Sequence, residues 1–180
     1  MRRIREIIKG NSSLTNLELK DLNESANSDK FSCGEEKIDF FLKDLAKFNQ
    51  KNKFSRTYIF TKEENNEIIA FFSILASQLN TGDTRIFGID KVPVILLGRL
   101  GVDVNYQGKN FAEVMIRIAI EKALKVSKII GCRLLLVETS LKMKSYYLER
   151  LSINFKLFRD KKETSIIYID LLEYELGFKI

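Results

Sequence analysis

From residue 14 to residue 22 apolar and polar positions alternate (Leu-Thr-Asn-Leu-Glu-Leu-Lys-Asp-Leu), the period of a half-buried strand. Ser32-Cys33-Gly34 breaks that pattern, and Glu35-Glu36 opens a helix with acids in its first turn, where the dipole favours them. Ile38, Phe41, Leu42, Leu45 and Phe48 then recur at helical spacing and predict one buried stripe, with Lys43, Lys47, Lys51 and Lys53 off it. Residues 56–61 and 67–75 read as strands joined by a polar hairpin loop, and residues 77–91 as a long loop. Pro93, the one proline, opens the next strand at 94–104, whose Gly98 and Gly101 mark a bulge or a close approach to backbone. After a turn at 105–110 comes a long amphipathic helix over 111–128, with Ala112, Met115, Ile116, Ala119, Ala123 and Val126 inward. A buried strand at 132–138, a short helix at 142–151 carrying Tyr146 and Tyr147, and paired strands at 153–158 and 164–172 complete the chain. The order β, α, β, β, β, α, β, α, β, β predicts one mixed α/β domain over residues 1–180, with its core at about 14–172.

Composition narrows the chemistry. With 45% hydrophobic residues and 13 Phe there is ample material for a core. The longest apolar runs, at 92–97 and 134–137, are far shorter than the roughly 20 residues that cross a bilayer, so no membrane anchor is expected. Cys33 and Cys132 read as free thiols of a reducing, cytoplasmic compartment. The chain has no His, which excludes a Ser-His-Asp triad or a Cys-His dyad, and no zinc-type metal site is expected. A net charge of +6 suits an anionic partner and equally a Lys-rich background.

The stretch most informative about chemistry is residues 97–112, Leu-Gly-Arg-Leu-Gly-Val-Asp-Val-Asn-Tyr-Gln-Gly-Lys-Asn-Phe-Ala. A strand there runs into a tight turn that opens a long helix, and the free N–H groups of a helix start suit a diphosphate. Gly108 allows close approach and Lys109 adds a charge, although an ordinary β-turn-α connection has the same outline. Gln107-Gly-Lys-Asn-Phe-Ala112 resembles the acyl-CoA loop of the GNAT superfamily, Gln/Arg-x-x-Gly-x-Gly/Ala. It matches at Gln107 and Ala112 and departs at Asn110, a residue that tolerates left-handed φ. The resemblance implies a GNAT fold: a mixed, mostly antiparallel sheet of six or seven strands flanked by three or four helices, splayed at strands 4 and 5. It also implies acetyl-CoA as co-substrate, with its pantetheine arm on the backbone of Leu100, Gly101 and Val102. The diphosphate then falls to Gln107, Gly108, Lys109, Asn110, Phe111 and Ala112.

Three further segments resemble the GNAT toxins of toxin–antitoxin pairs: residues 31–42, Phe-Ser-Cys-Gly-Glu-Glu-Lys-Ile-Asp-Phe-Phe-Leu, residues 55–59, Ser-Arg-Thr-Tyr-Ile, and residues 92–103, Val-Pro-Val-Ile-Leu-Leu-Gly-Arg-Leu-Gly-Val-Asp. That family implies an aminoacyl-tRNA acceptor and a small DNA-binding antitoxin as partner; a homodimer is left open. It also implies that Tyr147, in the pair Tyr146-Tyr147, is the general acid towards the departing thiolate, with Tyr146 facing the core. Where the family has a Gly-Phe, this chain has Leu151-Ser-Ile-Asn-Phe155. Cys33 reads as structural. Arg99 reads as buried against Asp103 or Glu138, with RNA as the other partner. Lys142, Lys144, Arg150, Arg159, Lys161 and Lys162 form a solvated surface, or an RNA contact if the toxin resemblance holds. Other readings are a GNAT acting on a small amine or a protein N-terminus, and a non-catalytic GNAT-like RNA-binding domain.

Overall fold

The computed structural model describes residues 17–62 and 66–177, so the expected start of the first strand at 14–16 lies outside the described residues. Seven strands form one sheet: β1 (Leu17–Asp21), β2 (Arg56–Lys62), β3 (Ile68–Asn80), β4 (Lys91–Val102), β5 (Leu134–Ser140), β6 (Lys156–Asp160) and β7 (Thr164–Asp170). Their order is β1-β2-β3-β4-β5-β7-β6. The pairs β1/β2, β2/β3, β5/β7 and β6/β7 are antiparallel, whereas β4 and β5 are parallel. Parallel strands need a crossover, which the long helix over Phe111–Ser127 supplies. The parallel ladder runs from Val94↔Leu134 to Leu97↔Val137, while β4 continues to Val102 and β5 to Ser140.

The chain divides into two compact units, Met1–Ile74 with Arg99–Ile118, and Leu75–Gly98 with Ala119–Ile180. In the first, Leu22, Phe31, Phe41, Leu42, Ile59 and Phe71 form a buried cluster. Phe71 is its centre, meeting Phe31 edge-on at 5.5 Å and stacking on Phe41 at 6.2 Å. Burying each such ring contributes about 1.5–3 kcal/mol.

The helical segment beneath this cluster is not regular. Helix α1 (Glu36–Phe40) passes into a π-helical turn (Phe41–Leu45) and then helix α2 (Ala46–Lys51). A π turn spends an extra residue per turn and rotates everything after it. The expected stripe therefore holds at Phe41 and Leu42 but not beyond. Ala46 is fully buried, while Leu45 and Phe48 are 39% and 58% exposed. The polar side of the prediction survives, with Lys43, Lys51 and Lys53 exposed.

Gly101, expected to mark a bulge or a ligand's approach, has a packing reason of its own. A Cβ there would meet Phe71 Cε1 at 2.7 Å, Ile38 Cγ2 at 3.0 Å and Phe31 Cζ at 3.2 Å. It is the gap into which the aromatic cluster fits.

In the second unit Val92, Val94, Leu134, Leu136 and Ile166 form the core, and Phe87 packs edge-on against Tyr168 at 5.8 Å. The segment expected as a loop over 77–91 is more ordered than its composition suggests. β3 extends to Asn80, and a short helix α3 (Thr84–Phe87) follows, capped by Asp83, whose carboxylate accepts the Arg85 N–H. The long helix over Phe111–Ser127 is α4. A last short helix, α5 (Leu171–Glu175), has no counterpart in the sequence reading; Asp170 caps it and is also paired with Arg133 at 2.8 Å. An apolar cavity of about 430 Å³ is lined by Phe87, Val92, Pro93, Cys132, Leu171 and Leu172, among others. None of the candidate site residues lines it.

Candidate functional site

β4 ends at Val102, and the chain makes a short 3-10 turn (Val104–Tyr106) before the loop that opens α4. Asp103 organises this connection from a buried position. Its carboxylate accepts the Asn105 N–H at 3.0 Å, the Asn105 side-chain amide at 2.9 Å and the Ser32 N–H at 3.2 Å. Its own N–H donates to Ile69 O at 2.9 Å.

Gln107 does not point its amide into open space. Nε2 donates to Cys33 O at 2.8 Å and to Val102 O at 3.0 Å, so the side chain staples the loop to the strand end and to the segment before α1. Gly108 (φ 74°) and Asn110 (φ 65°) both lie in the left-handed region. Asn110 thus takes the conformation that its chemistry predicts where the GNAT pattern has Gly. No atom lies within 4 Å of a Cβ built on Gly108, so the turn faces free space. Left-handed residues thus stand on either side of Lys109, and main-chain concavities that bind anions are built with such residues.

Asn110 O accepts the Val114 N–H at 3.2 Å and starts the helical ladder. Among the described residues the main-chain N–H groups from Gly108 to Glu113 have no acceptor. They are the orphan donors of a helix start, with the positive end of the dipole behind them. Phe111, 1% exposed, anchors them, packing edge-on against Tyr106 at 5.9 Å and Phe60 at 6.4 Å. Ala112 is half-buried beside it. Lys109 Nζ donates to Asn105 O at 3.1 Å and stands 5.0 Å from the Tyr106 ring centre, with Lys62 Nζ 5.5 Å from the same ring. The Lys62 ammonium is held above its usual range by the Tyr106 hydroxyl and then by Glu67. The loop therefore combines free N–H groups with cationic side chains and no carboxylate directed at it by the contacts described here.

The structure brings Gln107, Gly108, Lys109, Asn110, Phe111 and Ala112 together directly after Leu100, Gly101 and Val102, all in the first unit. Tyr147 belongs to the second unit. It lies in a π-helical turn (Tyr146–Arg150) and is 8% exposed, whereas Tyr146 is half-buried. The expectation that Tyr146 faces the core is reversed, because Tyr147 is the ring that packs against the buried Phe155. Tyr147 packs edge-on between Tyr146 at 5.6 Å and Phe155 at 5.4 Å. Burial pushes its phenol up to about 12, so it keeps its proton throughout the physiological range.

Three other expectations are settled locally. Arg99 is exposed, with its guanidinium 5.5 Å from the Phe41 ring centre, and not buried as expected. Glu138 instead accepts from Lys161 at 2.8 Å and Thr164 at 2.7 Å. Cys33 and Cys132 are free thiols. Burial, and after it the Asp39 carboxylate, pushes the Cys33 thiol up to about 12, which leaves it a poor nucleophile. Of the basic cluster, Lys144 is held by Asp160 at 2.7 Å and Lys161 by Glu138, while Lys142, Arg150, Arg159 and Lys162 are exposed.

No family model matches the chain. A tRNA-acetylating toxin of Mycobacterium tuberculosis (strain ATCC 25618 / H37Rv) is 31% identical over 111 residues, 59% of this chain and 66% of that protein. The chain thus spans just under two thirds of the curated relative's length. The crystal structure of a tyrosine-to-phenylalanine mutant of KacT matches at a TM-score of 0.81, with 22% identity, over 91% of this chain and 100% of KacT. The chain has the GNAT fold of KacT. AtaT has the same fold. A mutant bound to acetyl-CoA and the C-terminus of the antitoxin AtaR matches at a TM-score of 0.74 and 21% identity, covering 92% of this chain and 99% of AtaT. AtaT complexed with acetyl-methionyl-tRNAfMet matches at 0.78 and 21%, covering 91% and 99%. The expected six- or seven-stranded, mostly antiparallel sheet is thus what the described residues form, and the parallel pairing of β4 with β5 is an addition from the structure.

Proposed function

We propose that this chain is an acetyl-CoA-dependent N-acetyltransferase whose acceptor is the α-amino group of an aminoacyl-tRNA, so that its action blocks translation. The observation that carries the reading is the row of acceptor-free N–H groups from Gly108 to Glu113, which includes the left-handed residues Gly108 and Asn110 and the cationic Lys109. Such a row suits the diphosphate of acetyl-CoA, with the backbone of Leu100, Gly101 and Val102 along the pantetheine arm. The kinship to a tRNA-acetylating toxin and to AtaT supports the acceptor.

The amine nitrogen attacks the thioester carbonyl, the C–S bond breaks, the amine loses a proton and the thiolate gains one. A main-chain N–H of β4 holds the oxyanion. Tyr147 supplies the proton to sulfur. Its raised affinity for that proton keeps the donor loaded at neutral pH. A phenol near 12 facing a thiol near about 8.5 is a weak acid, so it acts mainly by a hydrogen bond that strengthens as charge builds on sulfur. The exposed cations Lys142, Arg150, Arg159 and Lys162 suit RNA phosphates, with binding that weakens as salt rises. A small DNA-binding antitoxin restrains the activity in the cytoplasm, a reading supported by AtaT bound to the antitoxin AtaR and by the KacTA–DNA complex. Among the described residues no helix is long and apolar enough to cross a membrane.

Mass spectrometry of charged tRNA pools incubated with protein and acetyl-CoA tests the reading. The expected product is an acetyl group on the amino acid of at least one charged tRNA. Acetylation of small amines or protein N-termini with no modified tRNA would replace it.

A further inference from the structure

Residues 31–34 belong to no strand or helix, yet they are tied down from two directions. On the α1 side, Asp39 takes both of them in hand. Its Oδ1 accepts the Cys33 N–H at 2.8 Å and its Oδ2 accepts the Ser32 hydroxyl at 2.9 Å. On the side of the loop, the Val104 N–H donates to Ser32 O at 2.8 Å and the Gln107 amide donates to Cys33 O at 2.8 Å. Ser32 N–H completes the link by donating to Asp103 at 3.2 Å. Phe31, 1% exposed, fixes the strap's start in the aromatic cluster, and Gly34 (φ 84°) turns its end into α1.

The loop needs such a device. Main-chain N–H groups bind only acceptors lying close to their own axis, so a diphosphate site made of them loses affinity as soon as the loop tilts. Gln107 holds the loop through two carbonyls, and one of them, Cys33 O, belongs to the residue whose N–H Asp39 fixes, next to the Ser32 hydroxyl that the same carboxylate holds.

We infer that Asp39 is a positioning residue for the diphosphate-binding loop, acting through the Ser32–Cys33 strap on Val104 and Gln107. The inference rests on the reading of residues 107–112 as an acyl-CoA site. Asp39 holds the residues whose carbonyls anchor Val104 and Gln107, and no contact of its own reaches residues 107–112 or α4.

The test uses the full chain and two ligands, acetyl-CoA and S-acetyl-pantetheine, which lacks the diphosphate. Wild type, Asp39→Asn, Asp39→Ala and Gln107→Leu are titrated with each, and thermal unfolding confirms that each variant is folded. Asp39→Ala is expected to raise the acetyl-CoA Kd about tenfold, and Asp39→Asn, which keeps one good acceptor, about threefold. S-acetyl-pantetheine affinity should stay within about twofold, since only the diphosphate reports on the loop. An equal loss for both ligands would make Asp39 a general structural residue and overturn the inference. So would an unchanged acetyl-CoA Kd. If Asp39→Ala does not fold, Gln107→Leu decides: a loss confined to acetyl-CoA supports the strap, and none refutes it. Failure of the wild type to bind acetyl-CoA at all would instead remove the site reading beneath the inference.

Discussion

The loop at residues 107–112 and the tyrosine pair at 146–147 are held by different forces. Directional bonds hold the loop: Gln107 to two carbonyls, Asp103 to Asn105 and Ser32, and Asn110 to the first helical N–H. Packing holds Tyr147, edge-on between two rings and almost out of water. The loop's task explains the first choice, because donors that must meet a ligand need defined directions and must themselves stay unsatisfied. For Tyr147 the rings fix the position of the phenol, and burial raises its affinity for the proton. Polar ties position, whereas burial tunes.

The sharpest way to test that contrast is to remove the hydroxyl and leave the ring. Tyr147→Phe keeps both ring contacts, so acetyl-CoA affinity should be unchanged while the transfer rate falls by about 10²–10⁴-fold, as steady-state kinetics against charged tRNA would show. A rate within threefold of wild type would remove Tyr147 from the reaction.

Next in size is Gly101→Val. Its side chain would begin 2.7 Å from Phe71 Cε1, and overpacking of this kind costs about 1–3 kcal/mol, read as a lower denaturation midpoint at constant m-value. Gly108→Ala should destabilise through backbone conformation alone, by about 1–2 kcal/mol, since its surroundings are open and only its φ of 74° is unfavourable.

The phenol of Tyr147 also predicts a pH dependence of stability. Its ordinary value of 10.0 describes the unfolded chain and about 12 the folded one. Below pH 10 both states hold the proton and the contribution is complete. Between about 10 and 12 the unfolded chain ionises first, so stability falls as pH rises. Thermal midpoints should drop across that window less in Tyr147→Phe than in wild type.

The smallest effect expected is that of Asn110→Gly. It relieves a residue held at φ 65°, and it should leave stability unchanged or raise it by up to about 1 kcal/mol without weakening acetyl-CoA binding.

Much of this architecture is legible in the sequence, and the exceptions share a cause. Periodicity located the seven strands and the long helix because each buries a face or a stripe against the sheet. It failed after residue 41, where a π turn rotates the register by a residue. No spacing rule anticipates that insertion, so Leu45 exchanges places with Ala46. The polar stretch over 77–91 and the last turn at Leu171–Glu175 were misread because local caps, Asp83 and Asp170, and not apolar periodicity, define their helices. At the site, Asn110 was readable from chemistry alone. Gly101 was not, since its meaning lies in three side chains distant in sequence. Asp39 escaped notice as one more acid in a helix's first turn; the Ser-Cys-Gly before that helix, whose peptide groups need partners, was the available signal.

The account stands or falls on the loop's free N–H groups meeting a diphosphate. Amide chemical shifts of the ¹⁵N-labelled, 20.9 kDa chain during titration with acetyl-CoA report on each of them separately. The largest saturable changes should fall on Gly108 to Glu113 and on Leu100 to Val102. Changes centred on the apolar cavity around Phe87 and Leu172, with residues 108–113 still, would contradict it.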